Sequence, residues 1–217
     1  GNVYFQSVVE EECPGNGALA CLARGYTADA ALIPEPFSEH LVTAQLGVIW
    51  FQVHLKGLPT HVAYAGSGAN AIEAAFPLIH ALHAMEHRWN ASENRPTEYA
   101  HMDHALNLNI GKIAGGDWTS SVPAWSVFDV RMAIFPGQSI EAAKAEIEQV
   151  IMDAARENAF LRNSLPEIVY HGFHAEGYAL SRDSSINATS AIAALDQAHQ
   201  SVSGEALQRE AITATTD

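Results

Sequence analysis

Hydrophobic and polar positions change rhythm several times along the chain. Residues 3–9, VYFQSVV, are β-branched and aromatic and predict a strand that runs without a break into Glu10-Glu11-Glu12 and the turn Pro14-Gly15-Asn16-Gly17. Gly17 to Tyr26 reads as a helix with Gly25 as its C-terminal cap, and Ala30 to Ile33 as a short strand stopped by Pro34-Glu35-Pro36. From Leu46 the pattern becomes sheet-like: Val48, Trp50, Gln52 and His54 alternate with Ile49, Phe51, Val53 and Leu55 until Gly57 and Pro59 close the strand. Ile72, Ala75, Phe76, Ile79, Leu82, Ala84 and Met85 mark one stripe of an amphipathic helix over 70–89, with Pro77 expected to bend it early. A polar loop over 90–104 leads to strands over 106–114 and 124–135, separated by Gly115-Gly116 and ended by Pro136-Gly137. Ser139 caps a helix reaching about Asn158, with Glu141 in the first turn and a stripe of Ile140, Ala143, Ile147, Val150 and Ile151. A strand over 166–173, a helix over 188–201 and the start of a strand over 211–215 complete the reading.

From Leu46 the order is therefore strand, helix, strand, strand, helix, strand, which is the ferredoxin-like order. The expectation is an α/β chain in three stretches. Residues 1–45 form part of one domain, residues 46–173 a ferredoxin-like insertion, and residues 174–217 a truncated return to the first domain. A chain that opens inside a strand is expected to be an internal piece of a longer one.

Composition narrows the classes. At 48% hydrophobic and 17% charged residues, the 217-residue chain can bury a core and is not of the disordered or coiled-coil type. Eleven Lys and Arg against 25 Asp and Glu give a net charge of −14, a field that repels a phosphate backbone, so nucleic acid is excluded as a partner. Two cysteines, Cys13 and Cys21, are too few for a disulfide framework or a four-thiolate zinc site and suit the cytoplasm. No apolar run approaches the roughly 18 residues of a membrane span, and no signal peptide is read.

Chemistry could sit in a few places. Three successive acids at the end of an apolar strand beside a Gly-rich turn repel one another unless a cation holds them, although an EEE run is also what a solvated acidic loop looks like. Glu35, at the end of the next predicted strand, could approach the same place, and Asp29 begins that strand. His80, His83 and His87 share a helix face but lack a matched carboxylate and read as solvent-facing, as do His101 and His104. His61 follows a strand in the turn Gly57-Leu58-Pro59-Thr60 and precedes Gly66-Ser67-Gly68, which is no phosphate loop because no Gly-Lys-Ser/Thr follows.

Four segments together resemble one family. FQSVVEEECPGNGA, ADAALIPEP, LKGLPTHVAYAGSGANAIEAA and NIGKIAGGDWTSSVPAWSVFDVRMAIFPG are similar, in this order, to the active-site strand, second ligand strand, lid histidine segment and Gly-Gly/Val-Pro/Asp-x-Arg stretch of the zinc deacylases and exopeptidases. That family includes acetylornithine deacetylase, succinyl-diaminopimelate desuccinylase and aminoacylase. The resemblance implies Glu11 as the general base, Glu12 as a zinc ligand and Glu35 as a ligand of a second zinc, with Asp29 the alternative to Glu35. It implies that His61 reaches into the partner subunit's site to polarise the scissile carbonyl, and that Arg131 holds a substrate carboxylate. Next to Asp129, Arg131 could equally be half of a surface ion pair. Two zinc ions, replaceable by cobalt or manganese, an N-acyl amino acid or peptide substrate, a homodimer and a cytoplasmic location complete what the family implies.

Departures matter equally. Glu10 stands where the family has Asp, and Ser120 where it commonly has Asn before Val-Pro. The upstream His-x-Asp motif, a metal-bridging Asp and a late ligand histidine are absent, so this stretch alone is expected to be inactive. Two other readings remain open: a non-catalytic dimerisation module, and a ferredoxin-like small-molecule sensor that leaves the Glu-Glu segment idle.

Overall fold

A computed structural model describes residues 2–11, 15–36, 38–182 and 186–216. In chain order the elements are α1 (Asn16–Ala23), β1 (Leu41–Gln45), β2 (Gly47–Lys56), α2 (Ala71–Trp89), β3 (Leu108–Gly115), β4 (Trp125–Ile134), α3 (Ile140–Glu157), β5 (Glu167–Ala175), β6 (Tyr178–Ala179), α4 (Ile186–Ser203) and β7 (Arg209–Ile212). They divide between two units, residues 46–177 and residues 1–45 with 178–217.

In the second of these units, β1 lies between β6, to which it is antiparallel, and β7, to which it is parallel. Two expected strands are not formed. Residues 3–9 and 30–33 belong to no strand, with Val3 95% and Phe5 92% exposed, because a β-branched run becomes a strand only when a neighbouring edge satisfies its backbone. Helix α1 ends as the glycine predicts: Gly25 takes φ +86, its N–H donates to the Leu22 carbonyl at 2.9 Å and that of Tyr26 to Cys21 at 3.2 Å, the two bonds of a Schellman cap. At its other end, Gly17 is required by a close approach, since a Cβ there would lie 2.3 Å from the Val9 carbonyl oxygen.

The central unit is one antiparallel sheet in the order β3-β4-β2-β5. Crossovers by α2 and α3 produce the ferredoxin-like arrangement. Period-2 alternation sends Ile49, Phe51, Val53 and Leu55 of β2, each at most 2% exposed, to the helical side together with Phe128, Val130 and Met132 of β4. Trp50, Gln52, Asp129 and Arg131 occupy the other face of the same two strands. Helix α3 buries Ala143, Ile147, Ile151 and Ala155, a stripe of i, i+4 positions, and Ser139 caps it by accepting from the Ala142 N–H at 3.2 Å.

Helix α2 is rotated from its expected phase. It buries Ala71, Ala74, Ala75, Leu78, Leu82, Met85 and Trp89, and leaves Phe76 49% exposed. The helix is apolar on two faces, so periodicity alone does not fix which one meets the sheet. It runs continuously through Pro77, whose missing N–H deprives only the Glu73 carbonyl of a partner. Asn70 caps it, accepting from Ile72 and Glu73.

A buried carboxylate ties the end of α2 to β3. Glu86, 5% exposed, accepts from the Leu108 N–H at 2.7 Å and pairs with His104 at 3.0 Å and His83 at 2.9 Å. These two histidines therefore anchor the helix end rather than simply facing solvent. Burial alone would raise the Glu86 pKa, but the Leu108 N–H and the two imidazoles lower it overall. Beside it, buried Asn90 donates to Glu86 and Leu106 carbonyls and accepts from the Leu106 N–H at 2.9 Å. Replacing Glu86 by Ala strands the Leu108 N–H and leaves His83 and His104 without their carboxylate, and is expected to cost about 3 kcal/mol, measured by urea unfolding. Because the folded-state pKa lies below the unfolded one, the stabilisation is complete above the unfolded value and is lost as pH falls through the folded value. The difference between parent and variant should therefore shrink as pH falls below the ordinary carboxylate range.

Candidate active site

His61 sits where the β2–β4 pairing runs on past the strand ends. Gly57 donates to the Ala124 carbonyl at 2.7 Å, Val122 to Thr60 at 2.8 Å and Val62 to Ser120 at 3.0 Å, and His61 bridges to Ser121. Leu58 and Ala69 exchange two backbone hydrogen bonds of 2.9 Å, closing the loop that carries His61 near its tip. Gly57 makes this crossing possible, because a Cβ there would lie 2.2 Å from the Pro123 carbonyl oxygen.

The histidine's chemistry follows from one contact. His61 caps the short 3-10 turn Val62–Ser67 by accepting the Ala63 N–H on Nδ1 at 3.1 Å. An acceptor nitrogen carries no proton, so in the neutral imidazole the hydrogen resides on Nε2. The exposed His61 ring thus offers an Nε2–H donor, the group needed to polarise a carbonyl.

Beside it lies a second loop. Gly116 (φ +70) donates to the Trp125 carbonyl at 3.0 Å, the Trp125 indole N–H donates to Asp117 at 3.1 Å, and both the N–H and the hydroxyl of Ser121 donate to the Trp118 carbonyl at 3.1 Å. The Trp118 ring meets the His61 ring edge-on, centroids 6.5 Å apart. Val62, Asn70, Ile72, Glu73, Trp118 and Pro123 are among the residues lining an open groove of about 600 Å³ here. Sequence reasoning passed over Trp118, whose one signal is a large aromatic beside Gly-Gly in an otherwise polar loop.

Ser120 is half-buried, with its carbonyl engaged by Val62. Arg131 lies on the open sheet face opposite Trp50 and Asn109, six residues along β4 from Trp125, or about 20 Å at ~3.4 Å per residue. Burial lowers its pKa from the ordinary arginine value. On the same face Asp129 accepts from Gln52 at 3.0 Å.

The acidic candidates belong to the other unit. Glu12 and Cys13 lie outside the described residues. Glu11 and Asp29 are exposed. Glu10 adopts φ +64, unusual for a residue with a side chain, and its carboxylate accepts from Asn16 at 2.8 Å. Glu35 is half-buried, and its Oε1 is buried with no hydrogen-bond partner among the described residues. An orphaned, desolvated carboxylate oxygen suits a cation ligand. Among the described residues, however, no three His, Cys, Asp or Glu side chains gather to hold a metal ion, whereas a zinc site needs three or four ligands. Glu35 fits a ligand role; the described residues by themselves do not make a site.

Residues 43–159 match the peptidase dimerisation domain, and the chain belongs to that family, the M20 deacylases and exopeptidases. It is 28% identical over 79% of its length to the N-formyl-4-amino-5-aminomethyl-2-methylpyrimidine deformylase of Halalkalibacterium halodurans, covering 42% of that enzyme. It is 30% identical over 70% of its length to a probable carboxypeptidase of Aspergillus clavatus, covering 34% of it. The chain thus spans well under half the length of these curated relatives. The crystal structure of aminopeptidase PepT from Bacillus cereus shares its fold, with TM-score 0.66 over 96% of this chain and 50% of that one at 18% identity. Among the described residues no helix is long and apolar enough to cross a membrane.

Proposed function

We propose that this chain is part of a metal-dependent amide hydrolase, an N-deacylase or peptidase that acts in the cytoplasm as a homodimer on N-acyl amino acids or peptides. The observation that carries the reading is the His61 imidazole, whose Nδ1 is occupied by a backbone N–H so that Nε2–H is presented outward. In this reading His61 donates that proton's hydrogen bond to the scissile carbonyl in the partner subunit's site, where negative charge develops. Glu11 takes a proton from the attacking water and returns it to the leaving amine. Glu12 and Glu35 are the metal-binding carboxylates; the orphaned Oε1 favours Glu35 over exposed Asp29. Zinc, when bound, supplies a Lewis acid and brings water to a pKa near 7. Arg131 would hold the substrate's anionic end, and Ser120, beside the His61 loop, would make a separate polar contact to the substrate in place of an amide.

Dimerisation is supported by β3, an edge strand of the central sheet, where Ile113 is 50% exposed, and by half-exposed Phe76 on the second apolar face of α2. The runner-up reading, a dimerisation module without catalysis, is favoured by the lack of a three-ligand cluster among the described residues. Chelation separates the two. Dialysis of the full-length protein against a chelator is expected to abolish N-formyl and N-acetyl amide hydrolysis, with zinc, cobalt or manganese restoring it. Absence of any hydrolysis in the metal-loaded protein would leave the dimerisation module.

A further inference from the structure

Trp118 is 65% exposed, yet the chain holds its backbone firmly. The Trp118 carbonyl accepts twice from Ser121, and the loop before it is fastened through Gly116 and Asp117 to Trp125. An indole in water contributes little to folding. Lining an open groove and edge-on to His61, it offers a large flat apolar surface carried on a hydrogen-bonded stretch of backbone. The groove's ionisable lining, Glu73 and Asp117, is acidic, which disfavours an anion.

We propose that Trp118 is the wall of a substrate subsite beside His61 that takes a flat aromatic group, uncharged or cationic, attached to the amide on which His61 acts. The inference rests on the His61 reading above, and it sets specificity rather than chemistry. Every lining residue of the groove lies in residues 46–177, the unit that carries His61.

The test uses the 217-residue chain and three probes: N-formylbenzylamine, N-formylmethylamine and 4-(formamidomethyl)benzoate. Binding is followed by NMR at the Trp118 indole N–H and the His61 ring C–H signals, assigned with Trp118→Phe and His61→Gln. The benzyl amide is expected to bind about ten-fold more tightly than the methyl amide and to shift Trp118, and the benzoate to bind less well than the benzyl amide. Trp118→Ala, a change at an exposed side chain, should erase the benzyl preference, while Trp118→Phe should keep most of it. Equal affinity for benzyl and methyl amides, or a preference that survives Trp118→Ala, overturns the proposal. A benzoate that binds as tightly as the benzyl amide overturns the charge class. If the benzyl amide shifts Trp118 while no probe moves His61 and His61→Ala leaves affinity unchanged, the subsite stands and the role given to His61 falls.

Discussion

Glu11→Gln in the full-length enzyme is expected to lower kcat about 10²- to 10⁴-fold while leaving metal content unchanged. Gln keeps the size and one hydrogen-bonding oxygen of Glu but has no basicity, so only proton transfer is removed. The measurement is kcat alongside metal content by atomic absorption. A kcat within about three-fold of the parent removes Glu11 from the mechanism. Joint loss of metal and activity makes Glu11 the ligand and exchanges the two roles.

His61→Ala is expected to lower kcat about 10²- to 10³-fold, equivalent to about 3–4 kcal/mol, with little change in metal content. A donor aimed at a developing oxyanion acts mainly in the transition state, so KM should move far less than kcat. Loss of the Ala63 N–H acceptor also loosens the 3-10 turn, and His61→Asn, which can keep that local cap, separates the two effects. If Asn restores the turn but not the rate, Nε2–H is the active group. Mixing His61→Ala with Glu11→Ala subunits should recover part of the activity, since one site of a mixed dimer then has both groups intact. No recovery from stable mixed dimers refutes catalysis across subunits.

The central sheet was legible because its residues obey two simple rules. Alternation over residues 49–55 of β2 and 126–132 of β4 gives each strand a buried and an open face, and the succession of two strand–helix–strand units leaves few topologies open. The rest was decided by partners that a sequence does not display. Residues 3–9 and 30–33 have the composition of strands but no edge to pair with, while β1, with its LVTAQ sequence, gains its neighbours from β6 and from the distant β7. Helix α2 has two apolar faces, and only contact with the sheet selects Leu78 and Leu82 over Phe76. In the sequence Glu86 is one acid among histidines, and its role depends on the Leu108 N–H, 22 positions away. At the candidate site the sequence marks out His61 by its Gly-rich setting; the protonated nitrogen follows only from the Ala63 contact. Trp118 gives no periodic signal, because its place beside His61 comes from two loops meeting.

The backbone bonds that hold the His61 loop also say how this region can diverge. The pairings of Leu58 with Ala69, Thr60 with Val122 and Ser120 with Val62 use main-chain groups, which every residue except proline supplies in full. Val62 and Tyr64 on the loop's outer side are 52% and 71% exposed, so replacing them disturbs no core. Fixed geometry and permissive side chains make positions 62–65 and 118–119 the places to randomise when changing what this face of the scaffold recognises, with Gly57 and His61 left untouched.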